Sequence, residues 1–269
     1  MPCIFFNEIS DNWVEEKLSC INYIQQQLTS EISELIKSKF KNGPRYFTAE
    51  EFAKILRWKG LAIKIPGFLD RYNNSGEVEK ITQNLFTTNL KQLTYADTQT
   101  EAHRKIILDE INSLINHLQS KLQYVGKAVA SACLALCFPD LCVTADYIVP
   151  GLLHNRHDTN GISNPLFTNP RTEQRLSQAL IMPVQHSLSA YHARNIATDN
   201  YTTYVKEFWN IKRTFGLTQN VRKIEASIWS FGICYFRKWP GYSDSQPLPF
   251  QYEPNPPTRG SFSKTCPNQ

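Results

Sequence analysis

No apolar run in this sequence of 269 residues reaches the length of a membrane span, for which roughly 20 residues are needed. The most apolar stretch, "AVASACLALCF" at 128–138, stops at Pro139 and Asp140 and reads as a buried helix. Sustained alternation with a period of two is missing as well, so strands are not expected. No basic leader opens the chain, and acidic residues arrive at Glu8 and Asp11. A secretory signal is therefore not expected, and an intracellular protein is, in the cytoplasm of a prokaryote or the nucleus of a eukaryote. The seven cysteines are odd in number and lack a secretory context, which favours free thiols over a disulfide framework. Cys133 and Cys137 stand one helical turn apart with Cys142 nearby, but no fourth ligand stands at a suitable spacing, so no metal site is expected. Internal repeats are absent, and no basic block is long enough to be a tail.

What is present fits an ordinary globular protein, 41% hydrophobic and 20% charged. The length allows one large domain or two lobes around a cleft. A formal net charge of +5 favours an acidic partner such as nucleic acid. Basic residues gather at "HRK" (103–105), at Lys121 with Lys127, at "KRTF" (212–215) and at "VRK" (221–223). A solvated helix face would carry much the same pattern.

Helical periodicity runs through most of the chain. Trp13, Leu18, Ile21, Ile24, Leu28, Ile32, Leu35 and Ile36 fall on one face of a long or broken opening helix. After Gly43-Pro44, Thr48 and Glu51 form a capping box, and Gly60 is placed to end that helix. The stretch 66–76 reads as a break, with Ser75 as the N-cap of the next helix. A stripe from Ile106 to Leu122 leads into a turn at 123–126, beyond which 127–138 forms the second arm of a helical hairpin. His154 to Pro170 is polar and rich in Asn, Gly and Pro, an irregular insertion of the sort that approaches ligands, with His154 and His157 flanking it. Helical patterning returns at 172–182, 201–215 and 221–236. Seven prolines among residues 240–269 mark that stretch as an extended or disordered tail after a helical body at 1–239.

The hairpin carries chemistry. Two helices joined by a tight turn leave backbone N–H groups unpaired at the start of the second helix, where the helix dipole adds to their attraction for phosphate. Tyr124, Val125, Gly126, Lys127 and Ala128 are the candidate phosphate-binding residues, with Lys127 adding a charge. The plain alternative is a turn that simply needs its glycine. Asp146, twenty residues beyond Gly126, is an N-cap for an apolar run, a catalytic carboxylate, or both.

"LQYVGKAVASACLALCFPDLCVTADY" resembles the helix-hairpin-helix DNA glycosylase superfamily, whose members carry a Leu-Pro-Gly-Val-Gly-x-Lys-Thr-Ala-like turn, an apolar helix and an essential aspartate. The family's second turn glycine falls on Gly126, its alanine on Ala130 and its aspartate on Asp146 without a gap. "LRWKG" (56–60) and "KIEASIW" (223–229) resemble further motifs of that superfamily, so the likeness spans most of residues 47–236. Gln123 and Tyr124 depart from it, standing where the family has Pro-Gly. Ala128 stands where bifunctional members carry a Schiff-base lysine, and the four-cysteine cluster of some members is absent.

The resemblance implies an all-α fold of two helical lobes, one from the middle of the chain (about 75–150) and one from both ends. It implies a monomer acting on double-stranded DNA, with no membrane association, no metal and no organic cofactor, and with room for a monovalent cation at the hairpin. The expected activity is monofunctional hydrolysis of an N-glycosidic bond. Asp146 would stabilise the positive charge on the sugar and orient water. The target nucleotide would be held outside the stack in an aromatic pocket. Trp58, Lys59, Tyr147 and Trp229 are the pocket candidates, with Trp209 a further aromatic, although tryptophans on apolar stripes are core residues as a rule. Two other readings stay open: a non-catalytic DNA-binding protein of the same fold, and a helical protein-interaction module in which Gly126 is only a turn and Asp146 only a cap.

Overall fold

The computed structural model describes residues 9–19, 21, 23–145, 149 and 200–237, the last seven by backbone alone. The described residues are helical, with turns and 3₁₀ segments between the helices and no strand. They divide into two compact units, one holding Tyr23–Ala145 and the other holding the first helix and the last two.

In the Tyr23–Ala145 unit, α2 (Tyr23–Lys41), α3 (Ala49–Trp58), α4 (Ile65–Tyr72), α5 (Glu77–Thr87), α6 (Glu101–Lys121) and α7 (Lys127–Cys137) follow one another. The expected middle lobe began near residue 75; this unit reaches back to Tyr23, and its core shows why. A chain of rings runs from Phe138 through Phe40, Phe86, Phe47, Phe52 and Phe68 to Tyr72, with centroids 4.9–6.3 Å apart. Those rings come from α2 through α5 and from the end of α7, so no boundary at 75 could separate them.

The Thr48–Glu51 capping box forms as the spacing predicts, with the Glu51 carboxylate accepting from the Thr48 amide at 2.8 Å and the Thr48 hydroxyl from the Glu51 amide at 3.2 Å. Glu51 also pairs at 2.8 Å with the ammonium of Lys39, which is buried against the rings of Tyr46 and Phe47. A buried lysine needs such a partner, because desolvating its charge alone is costly. Gly60 ends α3 with a φ of 77°, and the Leu61 amide reaches back to the Leu56 carbonyl.

The opening pattern, expected as a long or broken helix, is the broken form, α1 (Asp11–Ser19) followed by α2. Two local expectations are corrected. Residues 65–72, mostly assigned to a break, form α4, since Pro66 sits in the first turn, where its missing N–H has no helical partner to lose. The N-cap of α5 is Gly76 at φ 67°, while the Ser75 hydroxyl accepts from the Glu77 amide.

The other unit holds α1, α8 (Tyr201–Thr214) and α9 (Val221–Arg237). Its core takes Val14, Tyr204, Val205, Phe208, Trp209, Ile211, Ile224 and Ile228. Gly216 at φ 61° ends α8, and the Leu217 amide returns to the Lys212 carbonyl. Among the described residues no helix is long and apolar enough to cross a membrane. The expected helix at 172–182, the polar insertion with His154 and His157, and the Pro-rich 240–269 lie outside the described residues.

Candidate functional site

The hairpin is built by α6, the five residues 122–126 and α7. Leu122 ends α6 with its amide on the Leu118 carbonyl, and the Val125 amide returns to the Leu122 carbonyl at 3.3 Å. Tyr124 takes the left-handed conformation at φ 70°, which costs an L-residue about 1–2 kcal/mol relative to glycine. Two contacts on α4 hold it there. The buried Tyr72 hydroxyl accepts the Gln123 amide at 2.7 Å. The Tyr124 ring lies over Gly67, where a Cβ would meet the phenol oxygen at 3.0 Å, so Gly67 makes the room that the ring needs. Tyr124 is left 38% exposed, a large aromatic presented at the surface of the turn.

Gly126 is the N-cap of α7 with φ −80° and ψ 175°, an extended conformation open to any residue. A Cβ there would meet nothing within 4 Å. Neither backbone strain nor crowding within the protein asks for glycine at this position. Its carbonyl accepts from the Val129 and Ala130 amides at 2.9 and 3.0 Å, which closes the first turn of α7. The amides of Gly126, Lys127 and Ala128 have no backbone partner among the described residues, and no side chain caps the helix. Gly126 is exposed and Lys127 half-exposed beside it. The start of α7 thus carries three N–H groups without a partner among the described residues, the positive end of a helix dipole and a lysine in its first turn, an arrangement complementary to an oxyanion. Val125 and Ala128 are buried and contribute backbone alone.

The remaining described candidates for the base pocket stand on other elements. Trp58 is 7% exposed, its indole N–H donates to the Thr29 hydroxyl at 2.8 Å, and its carbonyl accepts from the Gln25 amide group, so it belongs to the packing of α2 on α3. Lys59 follows as the half-exposed C-cap of α3. Trp229 is half-buried on α9, and Trp209 is buried in α8. Asp146 and Tyr147 lie outside the described residues. Cys133, Cys137 and Cys142 are free and buried. Burial pushes the thiols of Cys137 and Cys142 well up, which keeps them protonated and poor as metal ligands. Among the described residues no group of three His, Cys, Asp or Glu side chains is placed to hold a metal ion.

Residue-type reasoning missed two groups. Ser131, buried in α7, accepts the Ala145 amide at 2.9 Å through its hydroxyl, and Thr144 has a buried hydroxyl without a partner among the described residues. Neither carries a sequence signal of its own, although Thr144 precedes Asp146 by two positions. No family model, curated protein or solved structure matches the chain.

Proposed function

We propose that the chain is a monofunctional DNA glycosylase of helix-hairpin-helix type, hydrolysing the N-glycosidic bond of a modified base in double-stranded DNA. The observation that carries this reading is the uncapped start of α7, where Gly126, Lys127 and Ala128 offer free amides beside a lysine and an exposed tyrosine. A phosphate of the backbone seats there and fixes the register of the duplex without reading its sequence. The spacing to Asp146, eighteen residues beyond Ala128, supplies the second element.

In this reading the Asp146 carboxylate faces the sugar of the extruded nucleotide. As the bond to the base lengthens, positive charge grows on the ring oxygen and anomeric carbon, and the carboxylate stabilises it and orients the attacking water. Ala128 holds the place of the family's lysine, so no amine is there to attack the sugar, and the product is an abasic site with an intact strand. Lys59, Tyr147 and Trp229 remain the candidates for contact with the base. Trp58 does not, because its polar edge is committed to Thr29.

The experiment is incubation of the protein and of Asp146→Asn with duplexes carrying different modified bases, followed by alkali. Strand breaks that need both alkali and Asp146 support the reading. Breaks without alkali would overturn the hydrolytic assignment. Retained duplex binding with no cleavage on a broad panel would favour a non-catalytic DNA-binding protein, and loss of both would favour a helical interaction module.

A further inference from the structure

The chain leaves α7 at Phe138, whose carbonyl accepts the amides of both Leu141 and Cys142 at 3.0 and 2.9 Å. It then doubles back along α7 as a non-helical segment in which Cys142, Val143, Thr144 and Ala145 are all buried. The return is tied to the helix at its end. The Ala145 amide donates to the Ser131 hydroxyl at 2.9 Å, and that hydroxyl donates in turn to the Ala128 carbonyl at 2.9 Å. Ser131 is fully buried, so no water competes for either bond. One hydroxyl proton and one lone pair satisfy both contacts without conflict. Ala128 is one of the three residues whose amides stand open at the hairpin. Ser131 lies five residues along α7 from Gly126, about 7.5 Å along the helix axis. A single side chain thereby joins the first turn of the phosphate-facing helix to the backbone that immediately precedes Asp146.

We propose that Ser131 is a positioning residue for Asp146, setting the point from which the carboxylate projects relative to the bound phosphate. This rests on the glycosylase reading above. Cleavage of the glycosidic bond is sensitive to such placement, because a displacement of about 1 Å in a catalytic group can cost on the order of 10²-fold in rate. The hairpin amides belong to residues 126–128 and do not depend on the Ser131 hydroxyl, so duplex affinity should be indifferent to its loss. Thr144 provides a matched control, since it precedes Asp146 by two positions in the chain and its buried hydroxyl has no partner among the described residues.

The test compares wild type, Ser131→Ala and Thr144→Val by amide hydrogen exchange and by single-turnover formation of abasic sites at saturating protein, on the modified duplex that the alkali assay identifies. Saturation makes the rate insensitive to a partly unfolded fraction, and the half-saturating concentration reports binding separately. Ser131→Ala is expected to lose protection at the Ala145 amide and to slow bond cleavage by roughly 10- to 100-fold with half-saturation unchanged. Thr144→Val is expected to match wild type in both. Unchanged protection at Ala145 in Ser131→Ala would overturn the inference whatever the activity. Lost protection with an undiminished rate would overturn it while leaving the glycosylase reading intact. A wild-type protein inert on every duplex would overturn the glycosylase reading and the inference with it, even if the tether proved real.

Discussion

Replacing Gly126 by aspartate should move stability and DNA affinity in opposite directions. The N-cap geometry at φ −80° and ψ 175° is the extended one in which aspartate caps a helix, and the open space around the missing Cβ admits the side chain. Its carboxylate would take the free Ala128 amide. Capping adds a few tenths of a kcal/mol over glycine, the helix dipole about 0.3–1 kcal/mol, and the smaller entropy of the unfolded chain a similar amount. A net gain of about 1 kcal/mol corresponds to a melting temperature raised by about 2–4 °C. The same carboxylate sits where the proposed phosphate would sit. Losing one charge-assisted hydrogen bond, at about 1.5–3 kcal/mol, weakens duplex binding by about 10- to 150-fold, before the repulsion between carboxylate and phosphate is counted. Thermal denaturation and fluorescence anisotropy of a labelled duplex at fixed salt measure the two quantities on one preparation. A more stable variant that binds DNA as well as wild type would refute phosphate binding at these amides, and a less stable one would refute the capping argument itself.

Two further substitutions test the framework. Burial raises the Glu207 carboxyl on α8 to about 7 from an ordinary 4.5, so the folded chain keeps a proton that the unfolded chain releases, and stability should fall as pH rises between those values. Glu207→Gln should remove that fall and leave the variant more stable than wild type at pH 8; parallel denaturation midpoints across the window would refute the assignment. Tyr72→Phe deletes the acceptor of the Gln123 amide and should cost about 1 kcal/mol with faster exchange at that amide, whereas an unchanged exchange rate would show that α4 does not clamp the turn.

The parts of the fold that were legible in the sequence are those set by neighbours along the chain. The Thr48–Glu51 box is a spacing of three, and the stripes of α6 and α7 are periodicities; both forms of local order survive folding unchanged. Contacts from distant residues decided the rest. Pro66 and Gly67 look like breakers until Pro66 is seen in a first turn and Gly67 beneath the ring of Tyr124, 57 positions later. Trp58 reads equally as pocket or core, and the choice is made by Thr29 on another helix. At the hairpin the expectation rested on Gly126, yet the left-handed residue of the turn is Tyr124, held there by contacts from α4. The tether from Ser131 to Ala145 spans 14 positions and has no sequence signature.

The turn between α8 and α9 shows, by contrast, why the α6–α7 turn is where a ligand is to be sought. Between α8 and α9 the turn satisfies itself. The buried Lys212 ammonium donates to the carbonyls of Leu217, Thr218 and Gln219. The Asp11 carboxylate accepts from the amides of Thr218 and Gln219 and from the Thr218 hydroxyl, bonds that hold its pKa below the ordinary carboxylate value. The Asn220 side chain caps α9 through the Lys223 amide at 2.8 Å. A buried cation, a side-chain cap and an anion supplied by the chain itself thus satisfy this turn. Between α6 and α7 no anion caps the start of the helix among the described residues, and among them nothing approaches the missing Cβ of Gly126. Unsatisfied amides at an exposed helix start are cheap in water, so stability did not force the difference. In the proposed reading an external anion accounts for both the open amides and the missing side chain, and a phosphate of duplex DNA is the anion that a turn edged by Gly126 and Lys127 would grip.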